Sequence, residues 1–89
     1  GSKENTLNKT SDTKIYPNPA GDKVFVSINP ELTGVTLEIS GLAGKTVYSD
    51  KLNNAESFID LSGYQPGMYL FRIVDGKGKV VESVKVVRQ

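Results

Sequence analysis

The chain contains no histidine and no cysteine. It therefore lacks the commonest general base, the commonest transition-metal ligand and any thiolate. Chemistry in these 89 residues would have to rest on oxygen and ammonium groups. Asp75-Gly76-Lys77-Gly78-Lys79 has the composition of a Gly-rich phosphate loop. A phosphate cradle needs a helix N-terminus behind it, and a strand pattern comes next instead, so the stretch reads as a hairpin turn. The carboxylates Glu38, Asp50, Glu56, Asp60, Asp75 and Glu82 each sit beside a strand or turn, and local spacing brings no two of them together as a hydrolytic dyad. Ser62 and Ser83 have no histidine to activate them, and a Ser–Lys pairing with Lys85 competes with the usual role of an outward lysine, keeping a strand edge soluble. Calcium is the least excluded metal, through Asn29, Asp60 or Asp75. The spacing of an EF-hand is absent, however, and an Asp in a turn ordinarily serves its own backbone. Tyr16, Tyr48, Tyr64 and Tyr69 could line a sugar-binding strip or could be core bodies with a wet hydroxyl. Asn8-Lys9-Thr10 matches a glycosylation sequon. No catalytic, cofactor or metal site is expected.

Eleven Lys and Arg against ten Asp and Glu leave a net charge of +1, too small a footprint for nucleic acid. The longest apolar runs are of strand length, so direct membrane insertion is not expected. Hydrophobic residues at 37% and charged residues at 24% suffice for one small core and argue against disorder. A chain of this size buries only about 60% of its unfolded surface, which predicts modest stability.

The elements that must position these groups are short. Gly1-Ser2 reads as a cloning scar, and residues 3–13, with Leu7 as their one apolar side chain, read as a flexible linker ahead of a domain over 14–89. Ile15-Tyr16 is extended and is stopped by Pro17 and Pro19. These prolines forbid a helix and make a stiff, extended entry to the β domain. Lys23–Asn29 alternates, with Val24, Val26 and Ile28 on one face and Phe25 and Ser27 on the other. Val35, Leu37 and Ile39 alternate with Thr36, Glu38 and Ser40, which predicts a strand with one wet face. Gly41-Leu42-Ala43-Gly44 reads as a hairpin connection into a strand over Lys45–Leu52 that carries Val47 and Tyr48. Ser57–Leu61 offers Ile59 and Leu61 inward, before the turn residues Ser62-Gly63 and Gln65-Pro66-Gly67. Met68–Asp75 is apolar on both faces and should be central. Lys79–Arg88 is the last strand, with Val84 and Val86 inward and Lys85 outward. About seven short strands without a convincing helix predict an all-β fold, a small antiparallel Ig-like sandwich.

Four stretches then stand in an order that is more specific than any of them alone: Ile15-Tyr16-Pro17-Asn18-Pro19, Val35–Val47 with Gly44-Lys45, Ile59-Asp60-Leu61-Ser62 through Gly67-Met68-Tyr69, and Val84-Lys85-Val86-Val87-Arg88. In these the chain resembles the type A C-terminal sorting domain carried by cargo of the type IX secretion system. Two local positions depart from the family pattern: Gly41 stands where Asp is common, and Tyr64 where Leu is usual.

The resemblance implies a secretion signal, not an enzyme. The domain would direct a fused N-terminal cargo through the periplasm to the type IX translocon and its shuttle proteins. A cysteine-protease sortase would then cut the linker upstream of the domain. Cargo would be released or joined to anionic lipopolysaccharide at the outer membrane and cell surface. The residues implied in sorting and recognition are Tyr16, Pro17, Asn18, Pro19, Gly44, Lys45, Gly67, Tyr69, Lys85, Val86, Val87 and Arg88. If the last strand lies at a sheet edge, its unpaired backbone would invite strand addition, with Lys85 and Arg88 as charged gatekeepers. The alternative from another class is an adhesive or carbohydrate-binding sandwich, which would need an exposed aromatic strip or a calcium site.

Overall fold

Period-two alternation carries most of this fold, because a half-buried strand must send every second side chain into the core. The computed structural model describes residues 13–89. The expected scar at Gly1-Ser2, the sequon match Asn8-Lys9-Thr10 and nearly all of the expected linker lie outside the described residues. The seven strands are β1 (Lys14–Tyr16), β2 (Lys23–Ser27), β3 (Thr36–Gly41), β4 (Thr46–Lys51), β5 (Glu56–Asp60), β6 (Gly67–Val74) and β7 (Val80–Arg88). They form two antiparallel sheets, one in the order β1-β2-β5 and one in the order β4-β3-β6-β7. The expected all-β sandwich is what the chain adopts.

The core between the sheets takes Val24, Val26 and Ile28 from the first sheet side, with Ile59 and Leu61 beside them. Val35, Leu37, Ile39, Phe71, Ile73 and Val86 face them from the second. Phe71 is 1% exposed in the central strand β6, so truncating it to Ala should cost about 3–5 kcal/mol. On β4, Tyr48 packs against the core while Val47 remains exposed, as the alternation from Leu52 requires.

Two expectations need correction, and one element is new. Ser40, predicted to be wet, is 3% exposed. The β3–β4 register shifts between Ile39 and Ser40, and the serine lies at the floor of a recess lined by Leu42, Met68 and Leu70. After Asn29 the chain makes one 3₁₀ turn, Pro30–Leu32. Asn29 caps it by accepting from the Glu31 N–H at 2.9 Å, and Pro30 needs no donor at that position. The tetrapeptide 16–19 is not an extended entry. It ends β1 and bends across to the other sheet, where Ala20 forms a parallel bridge with Arg88. The Tyr16–Pro17 and Asn18–Pro19 peptide bonds are cis.

Candidate functional site

The four motifs, scattered from Tyr16 to Arg88, meet at one end of the sandwich. Register sets this: Gly41 pairs with Tyr69, Tyr69 with Val86, and Gly67 with Arg88. On the other sheet Lys23 pairs with Asp60, and the Leu61 N–H donates to the Asp22 carbonyl at 2.7 Å. The loops 17–22, 41–45 and 61–66 and the end of β7 therefore share one pole.

At that pole the first motif clamps the last. The Asn18 side-chain amide donates to the Lys85 carbonyl at 2.8 Å, and its oxygen accepts from the Val87 N–H at 3.1 Å. One residue pair further, the Ala20 N–H donates to the Val87 carbonyl at 2.7 Å, and the Gln89 N–H donates to the Ala20 carbonyl at 2.8 Å. In an antiparallel strand, alternate residues direct both backbone groups away from the partner strand. Lys85, Val87 and Gln89 are such residues. β7 is indeed an edge strand, but over its final third the edge is already occupied. The expected invitation to strand addition does not exist there. Covering an edge is one of the ordinary ways a sheet avoids unwanted pairing.

The two cations on this strand are not equivalent. Lys85 is exposed and faces outward. Arg88 shares the inward parity of Val86. Its Nε donates to the Leu61 carbonyl at 3.0 Å and its Nη1 to the Gln89 carbonyl at 2.7 Å. Arg88 is thus a cross-sheet tie, not a surface gatekeeper. Leu61 belongs to the third motif, whose Asp60 forms a turn by accepting from the Ser62 N–H at 2.9 Å. That backbone bond, reinforced by the Ser62 hydroxyl and by the charges of Arg88 and Lys23, holds the Asp60 carboxyl below its usual range. Val86 is fully buried core and Val87 is exposed beside the clamp.

Gly44 has φ +86° and closes the β3–β4 hairpin by donating to the Gly41 carbonyl at 2.9 Å. Gly67 has φ +150° at the start of β6. A Cβ at either would meet nothing within 4 Å, so the constraint is backbone conformation and not space. Lys45 is exposed, and its carbonyl accepts from the Gly41 N–H at 3.1 Å. Tyr69 donates to the Gln65 carbonyl at 2.6 Å, four residues upstream. This is the geometry of a tyrosine corner in Ig-like sandwiches, where a tyrosine near a strand start pins the preceding turn. Tyr64 lies against Tyr69 with ring centroids 5.5 Å apart. Beside them on the outer sheet face is a recess of about 250 Å³, with Gly44, Met68, Tyr69, Arg72 and Lys85 among its walls.

The four tyrosines do not form a strip. Tyr48, Tyr64 and Tyr69 pack partly against the core, and Tyr16 stands apart on the outer face of the three-stranded sheet. The three residues considered for calcium are all turn caps: Asn29 for Glu31, Asp60 for Ser62, and Asp75 for Lys77 and Lys79. Among the described residues, no cluster of three acidic side chains could hold a metal. No helix among them is long and apolar enough to cross a membrane. Sequence reasoning missed Ala20, Leu61 and Gln65 as bonding partners, because they act through backbone atoms that carry no residue-type signal.

The profile of the secretion system C-terminal sorting domain matches residues 14–87. A curated relative, an endo-acting ulvan lyase of Formosa agariphila, is 30% identical over 79 residues, covering 88% of this chain and 15% of that protein. The chain thus spans a small part of the relative it matches. A solved structure of PorZ, a surface component of the type IX secretion system of Porphyromonas gingivalis, superposes with a TM-score of 0.76 at 18% identity. That superposition covers 100% of this chain and 13% of the PorZ chain. The chain belongs to the secretion system C-terminal sorting domain family.

Proposed function

We propose that this domain is the C-terminal address of a larger exported protein, read by the type IX translocon and its shuttle proteins at the pole where the motifs meet. The cargo is fused ahead of β1, crosses the periplasm, and is cut from the domain by a cysteine-protease sortase acting between residues 3 and 13. It is then released or attached to the cell surface through anionic lipopolysaccharide. The domain is the substrate of that enzyme and performs no catalysis. Membership of the family supports the sorting role. The observation that carries the choice of surface is the clamp: it ties the first motif to the last, Arg88 ties the last to the third, and the Gly41–Tyr69 register brings the second to the same pole.

The clamp also changes how the last strand should act. Recognition there would use side chains displayed by a strand held in place, with Lys85 and Val87 facing out, in preference to an open backbone edge. A reporter carrying a secretion signal peptide and this domain, expressed in a type IX-competent host, tests it. Lys85→Glu leaves Val86, Arg88 and the clamp untouched. The expected result is an unchanged melting temperature with reporter trapped in the periplasm. Normal export of Lys85→Glu together with normal export of a Val87→Asp variant would refute recognition at this pole. Mass spectrometry of the exported reporter should place its new terminus before Ile15, and a mature product that retains β6 and β7 would refute cleavage upstream.

A further inference from the structure

The outer face of the three-stranded sheet carries a feature that shares only Tyr16 with the sorting motifs. Register places Tyr16 opposite Phe25 and Phe25 opposite Phe58, so one aromatic row crosses all three strands. The three rings are 41%, 37% and 55% exposed. Tyr16 and Phe25 stack at 5.6 Å with 28° between their planes, and Phe25 and Phe58 lie at 5.9 Å and 51°. Their orientations are held from both ends. The Tyr16 hydroxyl donates to Glu56, and the Lys23 ammonium lies 5.9 Å from the Phe58 centroid, within cation–π range. Three adjoining, partly exposed rings offer a ligand one contiguous apolar patch.

Size and charge decide what kind. β2 and β5 are each five residues long. Three strands about 4.8 Å apart with a rise of about 3.3 Å per residue offer roughly 15 × 16 Å. That is about a third of the ~800 Å² per partner of a stable protein interface. The rows on either side of the rings carry both signs. Lys23 stands directly opposite Asp60, while Lys14 and Glu56 flank Ser27. A stacking platform for nucleic acid would need a cationic track for the phosphates, and this face has none. What fits a small row of mutually tilted aromatic rings bordered by balanced hydrogen-bonding groups is an uncharged sugar. The C–H face of a pyranose lies on the negative face of a ring, and its edge hydroxyls reach the flanking carboxylates and ammoniums.

We propose that this face binds a neutral oligosaccharide, its sugar rings stacked along Tyr16, Phe25 and Phe58. The platform shares Tyr16 with the first motif, but Phe25 and Phe58 lie outside all four motifs, so substitutions at Phe58 test it independently of the sorting role. The test is an amide NMR titration of the 89-residue chain with cellohexaose and with laminarihexaose, up to about 10 mM so that a millimolar site is visible. Saturable shifts are expected at residues 14–16, 23–27 and 56–60 with at least one of the two glucans. Phe58→Ala and Phe58→Leu should each weaken binding about tenfold while core resonances stay in place. The leucine variant separates ring stacking from apolar area. The proposal is overturned if neither glucan shifts these residues, or if Phe58→Leu binds as the parent does. It is equally overturned if the same shifts track protein concentration without sugar, which would make the face a contact between copies of this chain.

Discussion

Two junctions of the molecule, the Asp75–Lys79 hairpin and the clamp of Tyr16–Ala20 on the end of β7, hold their chains by opposite means. In the hairpin, Asp75 accepts from the Lys77 and Lys79 N–H groups at 2.9 Å, two and four residues away. In the clamp, Asn18 reaches partners 67 and 69 residues away, and Arg88 one 27 residues away. The hairpin forms as soon as its own residues meet. The clamp can form only after both sheets are in place, because non-local contacts must first offset the entropy of closing a long loop. The difference teaches that the pole where the motifs meet depends on the whole fold, whereas the hairpin depends on itself.

The largest test removes one side of the comparison. Deleting Lys85–Gln89 takes away a core valine, the clamp and the cross-sheet tie together. Loss of cooperative melting is expected, since these losses approach the ~5 kcal/mol floor of domain stability. Replacing Gly76-Lys77 by Asn-Gly in the hairpin should leave a cooperative transition within about 0.5 kcal/mol of the parent. A deletion variant that melts like the parent would show that the clamp is ornamental.

Single substitutions then separate the two cations. Arg88→Glu loses a charged hydrogen bond to the Leu61 carbonyl and sets a carboxylate near Asp60, so urea melts should show a loss of about 1.5–3 kcal/mol. Lys85→Glu should change stability by no more than about 0.5 kcal/mol. Equal effects would mean that the inward tie does not exist in solution. Between them lies Asn18→Ala, which removes two bonds at an edge that water can reach. A loss of about 1–2 kcal/mol is expected, together with faster amide exchange at Val87.

The smallest effect is in acid. The Asp75 carboxyl is held below its ordinary value of 3.8 by the Lys79 and Lys77 N–H groups, and the Asp60 carboxyl by Ser62 with help from Arg88 and Lys23. A depressed folded value means that each stabilisation is complete above that ordinary value and is lost as the pH falls through the lower folded one. Melting temperature should therefore decline as acid is added below about pH 4, where free carboxyls titrate. Asp75→Asn and Asp60→Asn should each flatten the decline. Added salt should diminish both contributions in part, because Arg88 and Lys23 act on Asp60 and Lys79 acts on Asp75 by charge.

Much of this protein was legible in its sequence wherever the information was local. Val24, Val26 and Ile28, then Val35, Leu37 and Ile39, then Ile59 and Leu61 announce their faces by parity alone, and parity survives any choice of partner strand. Turns such as 75–79 and 41–44 announce themselves by residues whose backbone preferences act within a few positions. Strand boundaries shift by one or two residues, since ladder ends depend on the neighbour. What only the tertiary structure decided lies between segments. Asn18 reads from sequence as part of a stiff motif, but its partners on β7 are set by how one sheet stacks on the other. Arg88 reads as a surface cation until Leu61 is placed opposite it. Ser40 reads as wet until cross-strand register sets it beside Leu70 in a recess that Leu42 and Met68 also line. Tyr16, Phe25 and Phe58 become one row only through two cross-strand registers. Alternation fixes which way a side chain points along its own strand, but a contact also needs the position of a second strand. That position comes from packing a common core, which no short window of sequence contains.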